Sequence, residues 1–485
     1  MKRGILTIAL AVLSLMGSRA QQAYELVSLT STTVKANDGN TYRGEKGRIK
    51  VPENRENENS EWLELPFFRM KTEHERPLAP IFIFEGGPGD DPSALQRLSE
   101  FAPILKAFAE RSDVVLVDQR GNGGAIPKLS CPNTLQFSLD TPLDLSTFRK
   151  VYRKYMEDCS GSWQKKGRDL SGYNVISMAD DVEALRQAMS YGKVMLFGGS
   201  FGSHHALAYI KRYPENVDRI LLDSPEGLPH TVKLPSSADE ILEQLSGLVK
   251  TNAELSQEIP SFTDLVRDVL EGLEQHPIRV STTHPITSKE VHIVLGKFDL
   301  QFITGIDLGR RAYRELPYRY LQMKKGDYSW LASRAIHLRL AHIESLMAAL
   351  TDCASATASD RMLAVQTEAK EAILGNALNN VIFEVMDILP IKDISKELNQ
   401  YFKSGIPIVL ICGRQDARTP VSNAEEILEV FTNGRLVVVE HGSHDLFSEA
   451  LDQLLPIMQG YLKAEHPLEF VVPERIVAPL NLRTR

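Results

Sequence analysis

Ser200 lies in Gly198-Gly199-Ser200-Phe201-Gly202, between the apolar run 194–197 and a helical-looking stretch at 203–213. A strand, a turn too tight for side chains two places either side of the serine, and a helix would lift the hydroxyl out of a sheet, ready to attack an acyl carbon. A glycine-rich strand-to-helix turn can instead bind phosphate at the helix N-terminus. Two partners decide between these readings. A serine hydroxyl needs a base, and the base needs an acid that fixes its tautomer and steadies its charge. Asp416 closes Gly413-Arg414-Gln415-Asp416 after the apolar run 406–412. His444 lies in Glu440-His441-Gly442-Ser443-His444-Asp445 after the run 436–439. The chain order Ser200, Asp416, His444 fits nucleophile, acid and base on loops at the carboxyl ends of strands. Asp223, ending the run 220–222, is the alternative acid. His441 is the alternative base, though its place directly at the strand end favours packing or capping.

Acyl transfer also needs donors aimed at the oxyanion, each worth about 3–4 kcal/mol of barrier. The backbone N–H of Phe201 is one. Phe84-Glu85-Gly86-Gly87-Pro88-Gly89, after the run 81–84, offers Gly86 or Gly87 as the other, because a glycine backbone can turn toward a substrate without a Cβ in the way. Taken alone, this segment also reads as a plain β-turn.

These residues must be held by a sheet. Short continuous apolar runs at 81–84, 114–117, 194–197, 220–222, 406–412 and 436–439 read as strands buried on both faces. Helical periodicity fills the gaps, as in Val182, Leu185, Ala188 and Met189. The alternation predicts a mostly parallel sheet with helices on both faces. Upstream, 42–51 and 61–70 read as an antiparallel hairpin or meander at a sheet edge, preceded by a polar, strand-poor segment. From 228 to about 400 the alternation stops. Phe262, Leu265, Val266, Val269, Leu270 and Leu273 share a helix face, and 346–350 continues another apolar helix, predicting a mainly helical, lid-like insertion.

Gly86-Gly87-Pro88-Gly89, Asp118-Gln119-Arg120-Gly121, the serine pentapeptide with Ser203, and Asp416-Ala417-Arg418-Thr419-Pro420 together resemble the prolyl aminopeptidase and tripeptidyl aminopeptidase-like branch of the α/β hydrolases. The similarity covers roughly residues 60–227 and 400–465. It implies an α/β-hydrolase fold with a helical cap, and a serine exopeptidase acting on free peptide N-termini with Ser200, Asp416 and His444 as triad. Three positions depart from that pattern. Glu85 stands where the prolyl enzymes usually carry His, Gly121-Asn122-Gly123-Gly124-Ala125 replaces Gly-Thr-Gly-x-Ser, and Phe201 replaces Trp or Tyr.

An aminopeptidase must hold an ammonium group, and a partly desolvated carboxylate is the simplest partner. Glu85, beside the oxyanion loop, and Glu226, where the insertion begins, are the candidates by position. Adjacent His204 and His205 cannot face the same way on a helix, so packing is their expected role. No CxxC or HExxH pattern supports zinc, and the chemistry calls for no cofactor. An esterase or other small-molecule acyl hydrolase on the same fold is the alternative function, and a catalytically silent binding protein a third.

The 485 residues are 43% hydrophobic and 24% charged, an ordinary globular composition. Residues 1–20 read as a secretory signal: Lys2 and Arg3, thirteen uncharged residues from Gly4 to Met16, then Ser18-Arg19-Ala20. Its removal takes three positive residues and no acid, moving the formal charge from −8 to −11. With no Lys/Arg-rich block, nucleic-acid binding is excluded. The apolar run falls short of the roughly 20 residues that span a bilayer, so an exported, periplasmic or secreted protein without stable membrane insertion is expected. Its four cysteines permit two disulfides. Cys131 and Cys159 are the nearest pair, and Cys412, in an apolar strand, equally suits a buried thiol. The predicted organisation is signal 1–20, a discontinuous core of 21–227 and 400–465, a helical cap 228–399, and a C-terminal tail 466–485; the expected partner is a short peptide or small acyl substrate.

Overall fold

The computed structural model describes residues 24–89, 94–340, 345–356 and 360–484, the side chains of 94–100 excepted. The expected signal at 1–20 lies outside the described residues. The first strands are β1 (Glu25–Lys35), β2 (Thr41–Pro52) and β3 (Trp62–Met70), followed by β4 (Ile81–Phe84), β5 (Val114–Val117), β6 (Val194–Gly199) and β7 (Val217–Asp223). A separate hairpin, β8 (Ile278–Thr283) with β9 (Glu290–Leu295), precedes β10 (Ile408–Gly413), β11 (Gly434–Glu440) and β12 (Arg475–Val477). The main sheet runs β1-β2-β3-β5-β4-β6-β7-β10-β11-β12. Pairings from β1 through β3 to β5 are antiparallel, and all the rest are parallel. This is the α/β-hydrolase arrangement.

The central strands β4, β5, β6 and β10 are apolar because both faces are covered. Phe82, Phe84, Leu196, Leu222 and Leu410 join the core under helices Leu145–Gln164, Val175–Ala188 and Phe201–Arg212. Their alternates Ile81, Ile83, Phe197, Leu221 and Ile411 join the core under Ala94–Phe108 and Leu446–Lys463. Period-two side-chain direction thus feeds two cores from each strand. A third core belongs to the segment between β7 and β10, where Val266, Val269, Leu270 and Leu273 of helix Phe262–Gln275 pack with Leu242, Leu245 and Tyr320.

One expectation needs correction. The segment called strand-poor contains β1, an eleven-residue strand. Its residues are Ser- and Thr-rich and mostly exposed, and ten pairings with β2 hold it where apolar burial does not. The stretch 228–400 is mainly helical, as expected, and carries in addition a hairpin of β8 and β9 whose Ile293 and Leu295 enter the third core. The tail adds β12 to the edge of β11. Cys131 and Cys159 form a disulfide, while Cys353 and Cys412 are buried thiols. No helix among the described residues is long and apolar enough to cross a membrane.

Candidate active site

Ser200 stands between β6 and helix Phe201–Arg212 with φ 53° and ψ −128°, a backbone conformation that costs a non-glycine residue about 1–3 kcal/mol. The turn survives because its neighbours carry no side chains. A Cβ on Gly202 would strike the Phe84 carbonyl, and one on Gly198 would lie 2.5 Å from the Gly202 oxygen. The strained serine presents its hydroxyl to His444, whose Nε2 lies 2.8 Å from Ser200 Oγ. His444 Nδ1 lies 2.7 Å from Asp416 Oδ2.

Asp416 is fully buried at the end of β10. Burial pushes its pKa up, but the facing His444 and hydrogen bonds from Thr419 outweigh that and hold it below the usual carboxylate range. Thr419 Oγ1 donates to Oδ2 at 2.7 Å, and the N–H groups of Arg418 and Thr419 donate to Oδ1 at 2.8 and 3.0 Å. The sequence reading had not singled out Thr419 for this role; its signal was a hydroxyl three residues after the acid. The His444 loop is braced from below. Glu449 Oε2 accepts from Ser443 N–H at 2.7 Å and pairs with the buried Arg314 at its other oxygen, while the His444 N–H donates to Gly309 O at 3.0 Å.

The alternatives sit elsewhere. His441 turns to the Ala478 carbonyl, at 3.1 Å, and does not contact Ser200. Asp223 makes no contact with His444. Its carboxyl is pushed up to about 7, first by burial and then by the nearby charge of Asp416.

Gly86 and Gly87 line a cleft of about 300 Å³ with Ser200, His444, Glu85 and Asp223. A Cβ on Gly86 would lie 3.4 Å from Gly199 O and 3.7 Å from Ser200 Cβ, so this backbone rests against the nucleophile turn. Gln119 staples the loop in place: its Nε2 donates to Glu85 O (3.0 Å) and Gly86 O (3.3 Å), and its Oε1 accepts from Gly89 N–H (3.1 Å). The following Arg120 is wholly buried and grips both oxygens of Asp181, tying the loop to helix Val175–Ala188. Phe201, whose N–H is the first of its helix and has no intrahelical carbonyl to meet, buries its ring beside His204 and His205.

Glu226 corrects an expectation. It is buried, bonded to Lys233 Nζ and 4.0 Å from His204 Nδ1, and does not border the cleft. Its charge is already answered, so it has nothing left for an ammonium group. Glu85 does border the cleft. His204 and His205 are buried, and burial lowers the pKa of both, His205 to about 4. Among the described residues no group of His, Cys, Asp and Glu could hold a metal ion.

Residues 79–281 match the family model of the alpha/beta hydrolase fold. Together with the sheet order, this gives the chain the α/β-hydrolase fold. The chain is similar to proteins named as peptidases. It is 28% identical over 164 residues to the tripeptidyl aminopeptidase of Streptomyces lividans, covering 32% of this chain and 29% of that one. It is 24% identical over 187 residues to serine protease Hip1 of Mycobacterium tuberculosis (strain H37Rv), covering 36% and 35%. The chain thus spans about a third of the length of the curated relatives it matches. Among solved structures, an esterase from Thermogutta terrifontis aligns at 13% identity and TM-score 0.33, covering 90% of this chain and 98% of that one.

Proposed function

We propose that the protein is an exported serine aminopeptidase that removes residues from the free N-terminus of short peptides through an acyl-enzyme. The observation carrying this reading is the continuous hydrogen-bonded line from Ser200 Oγ through His444 to the buried Asp416, opening on a cleft that also holds carboxylates. Ser200 Oγ attacks the scissile carbonyl while His444 Nε2 takes its proton, and ionised Asp416 stabilises the imidazolium. The oxyanion is held by the N–H of Phe201 and that of Gly86 or Gly87. His444 then protonates the leaving amine. Water, deprotonated by His444, attacks the ester, and collapse returns the proton to Ser200 and frees the acid. The scheme requires no cofactor.

The segment between β7 and β10 acts as a cap limiting access to short substrates. Its own cavity, about 840 Å³, shares Arg310, Arg418 and Asp445 with the catalytic cleft. Export is supported by the Cys131–Cys159 disulfide, since such bonds persist in oxidising compartments.

A fluorophosphonate probe is expected to label the wild type and not Ser200→Ala; equal labelling would remove Ser200 from the scheme. An aminoacyl anilide with a free amine should be cleaved well ahead of its N-acetylated twin. Equal rates would leave a general acyl hydrolase or esterase in place of the aminopeptidase.

A further inference from the structure

Asp223 closes β7 directly beside the nucleophile turn, its Cα in register with Gly199. Its side chain is 8% exposed and faces the cleft that holds Ser200. Several other buried acids among the described residues have a cationic partner: Asp181 has Arg55 and Arg120, Glu226 has Lys233, Asp299 has Arg339, and Glu449 has Arg314. Asp223 has none among the described residues. The charged group nearest it in effect is Asp416, an anion already committed to His444 and Thr419.

A buried charge without a counter-ion costs several kcal/mol, so an acid kept in this state beside a nucleophile is placed to receive a cation from outside. The site is also shaped around it. A Cβ on Gly199 would lie 2.6 Å from Asp223 Oδ1, so the carboxylate occupies the space that glycine leaves open. Ordinary bond lengths then put Oδ1 no more than about 10 Å from Ser200 Oγ. Beyond the carboxylate the cleft turns apolar, walled by Ile104, Leu105, Leu116, Phe197 and Phe447.

Resting on the aminopeptidase reading, we propose that Asp223 binds the α-ammonium group of the substrate, and that the apolar wall takes the adjoining side chain. The available span suits an acyl group of one or two residues. An extended tripeptide needs about 10 Å for the chain alone, before its ammonium group makes contact. The favoured substrates therefore carry a free N-terminus and an apolar residue, and lose one or two residues per turnover. Glu85, on the opposite loop, is then a lesser contributor.

The test compares L-leucyl 4-nitroanilide with its desamino twin, 4-methylpentanoyl 4-nitroanilide, in the full-length protein. The ratio of their kcat/KM values is expected to fall at least 30-fold in Asp223→Asn, chiefly through KM, and less than threefold in Glu85→Gln. A ratio preserved in Asp223→Asn, or one that collapses in Glu85→Gln instead, overturns the assignment. A second measurement needs no variant. Isoamylamine should inhibit wild-type ester turnover competitively, at least tenfold more strongly than isoamyl alcohol, and equal inhibition overturns the proposal. A tripeptidyl anilide cleaved in one step faster than the leucyl compound would also overturn it. If the wild type prefers free to N-acetylated anilide yet these outcomes fail, Asp223 is wrong and the aminopeptidase reading stands. If that preference is absent, the reading itself falls.

Discussion

An ionised Asp223 with no cationic partner among the described residues should burden the folded state, and replacing it with asparagine should relieve that burden in a pH-dependent way. Its carboxyl is pushed from 3.8 to about 7, by burial first and by Asp416 second. The folded form therefore binds the proton more tightly than the unfolded chain. Between these two values the folded state carries more protons, so this group's contribution to stability declines as pH rises. At 1.36 kcal/mol per pH decade, the full loss is about 4 kcal/mol above pH 7 and about 1.5 kcal/mol at pH 5. Asp223→Asn removes the charge at both pH values while keeping the shape. The gain in unfolding free energy should thus be about 2–3 kcal/mol larger at pH 8 than at pH 5. Urea unfolding of wild type and variant at both pH values measures it, with Ser200→Ala as a background that prevents self-digestion. A gain independent of pH, or a loss at pH 8, would show that the carboxylate already has its partner and refute the reasoning.

Other consequences are as direct. Thr419→Val deletes one hydrogen bond to a buried carboxylate; at about 1.5–3 kcal/mol for such a bond, kcat should drop roughly 10- to 150-fold while the protein keeps its far-UV spectrum. The kcat/KM ratio of leucyl to desamino anilide, from which pH effects common to both substrates cancel, should decline about tenfold per pH unit below pH 7 as Asp223, facing Asp416 within the cleft that Arg310 and Arg418 border, is protonated. The same ratio should decline again above about pH 8, where the substrate amine loses its charge; a ratio flat from pH 5 to 7 would contradict the assignment. Cys131→Ser with Cys159→Ser opens a loop of 28 residues' separation and should cost about 3–4 kcal/mol in chemical denaturation. Gly202→Ala forces a methyl into the Phe84 carbonyl and should abolish fluorophosphonate labelling.

The strands beside the nucleophile were legible because burial on both faces leaves an uninterrupted apolar run, as in 81–84 and 114–117. β1 was not, because its stability comes from backbone pairing with β2 and its exposed Ser and Thr residues carry no burial pattern. β8 and β9 hid for a related reason: each is only six residues long, β8 alternates exposed and part-buried positions, and β9 buries only Ile293 and Leu295. Motif spacing brought out Ser200, Asp416 and His444, whose chain order is constrained by the topology. Glu226 was misplaced because proximity to the insertion says nothing about side-chain direction; Lys233, seven residues on, claims it. Asp223 was visible as an acid at a strand end, but its open face depends on Gly199 in the adjacent strand, a pairing that only the folded sheet creates.

The parallel register of β6 and β7 explains why an unpaired acid can persist here. Gly199 and Asp223 are opposite one another, so the glycine that lets the chain turn tightly into Ser200 also leaves a hollow that the neighbouring side chain fills. One residue type thus serves both the nucleophile and the acid next to it. Ser200 holds a strained backbone, and Asp223 holds a carboxyl that would be more comfortable in water. Both burdens sit on the carboxyl ends of adjacent strands, where the apolar cores on the two faces of the sheet hold the backbone in place. Backbone strain and a buried acid set side by side at one rim of the sheet mark a place kept for chemistry rather than for stability. A substrate ammonium group entering the cleft would neutralise the one burden while its carbonyl meets the other. Binding and attack would then draw on the same few ångströms of sheet edge.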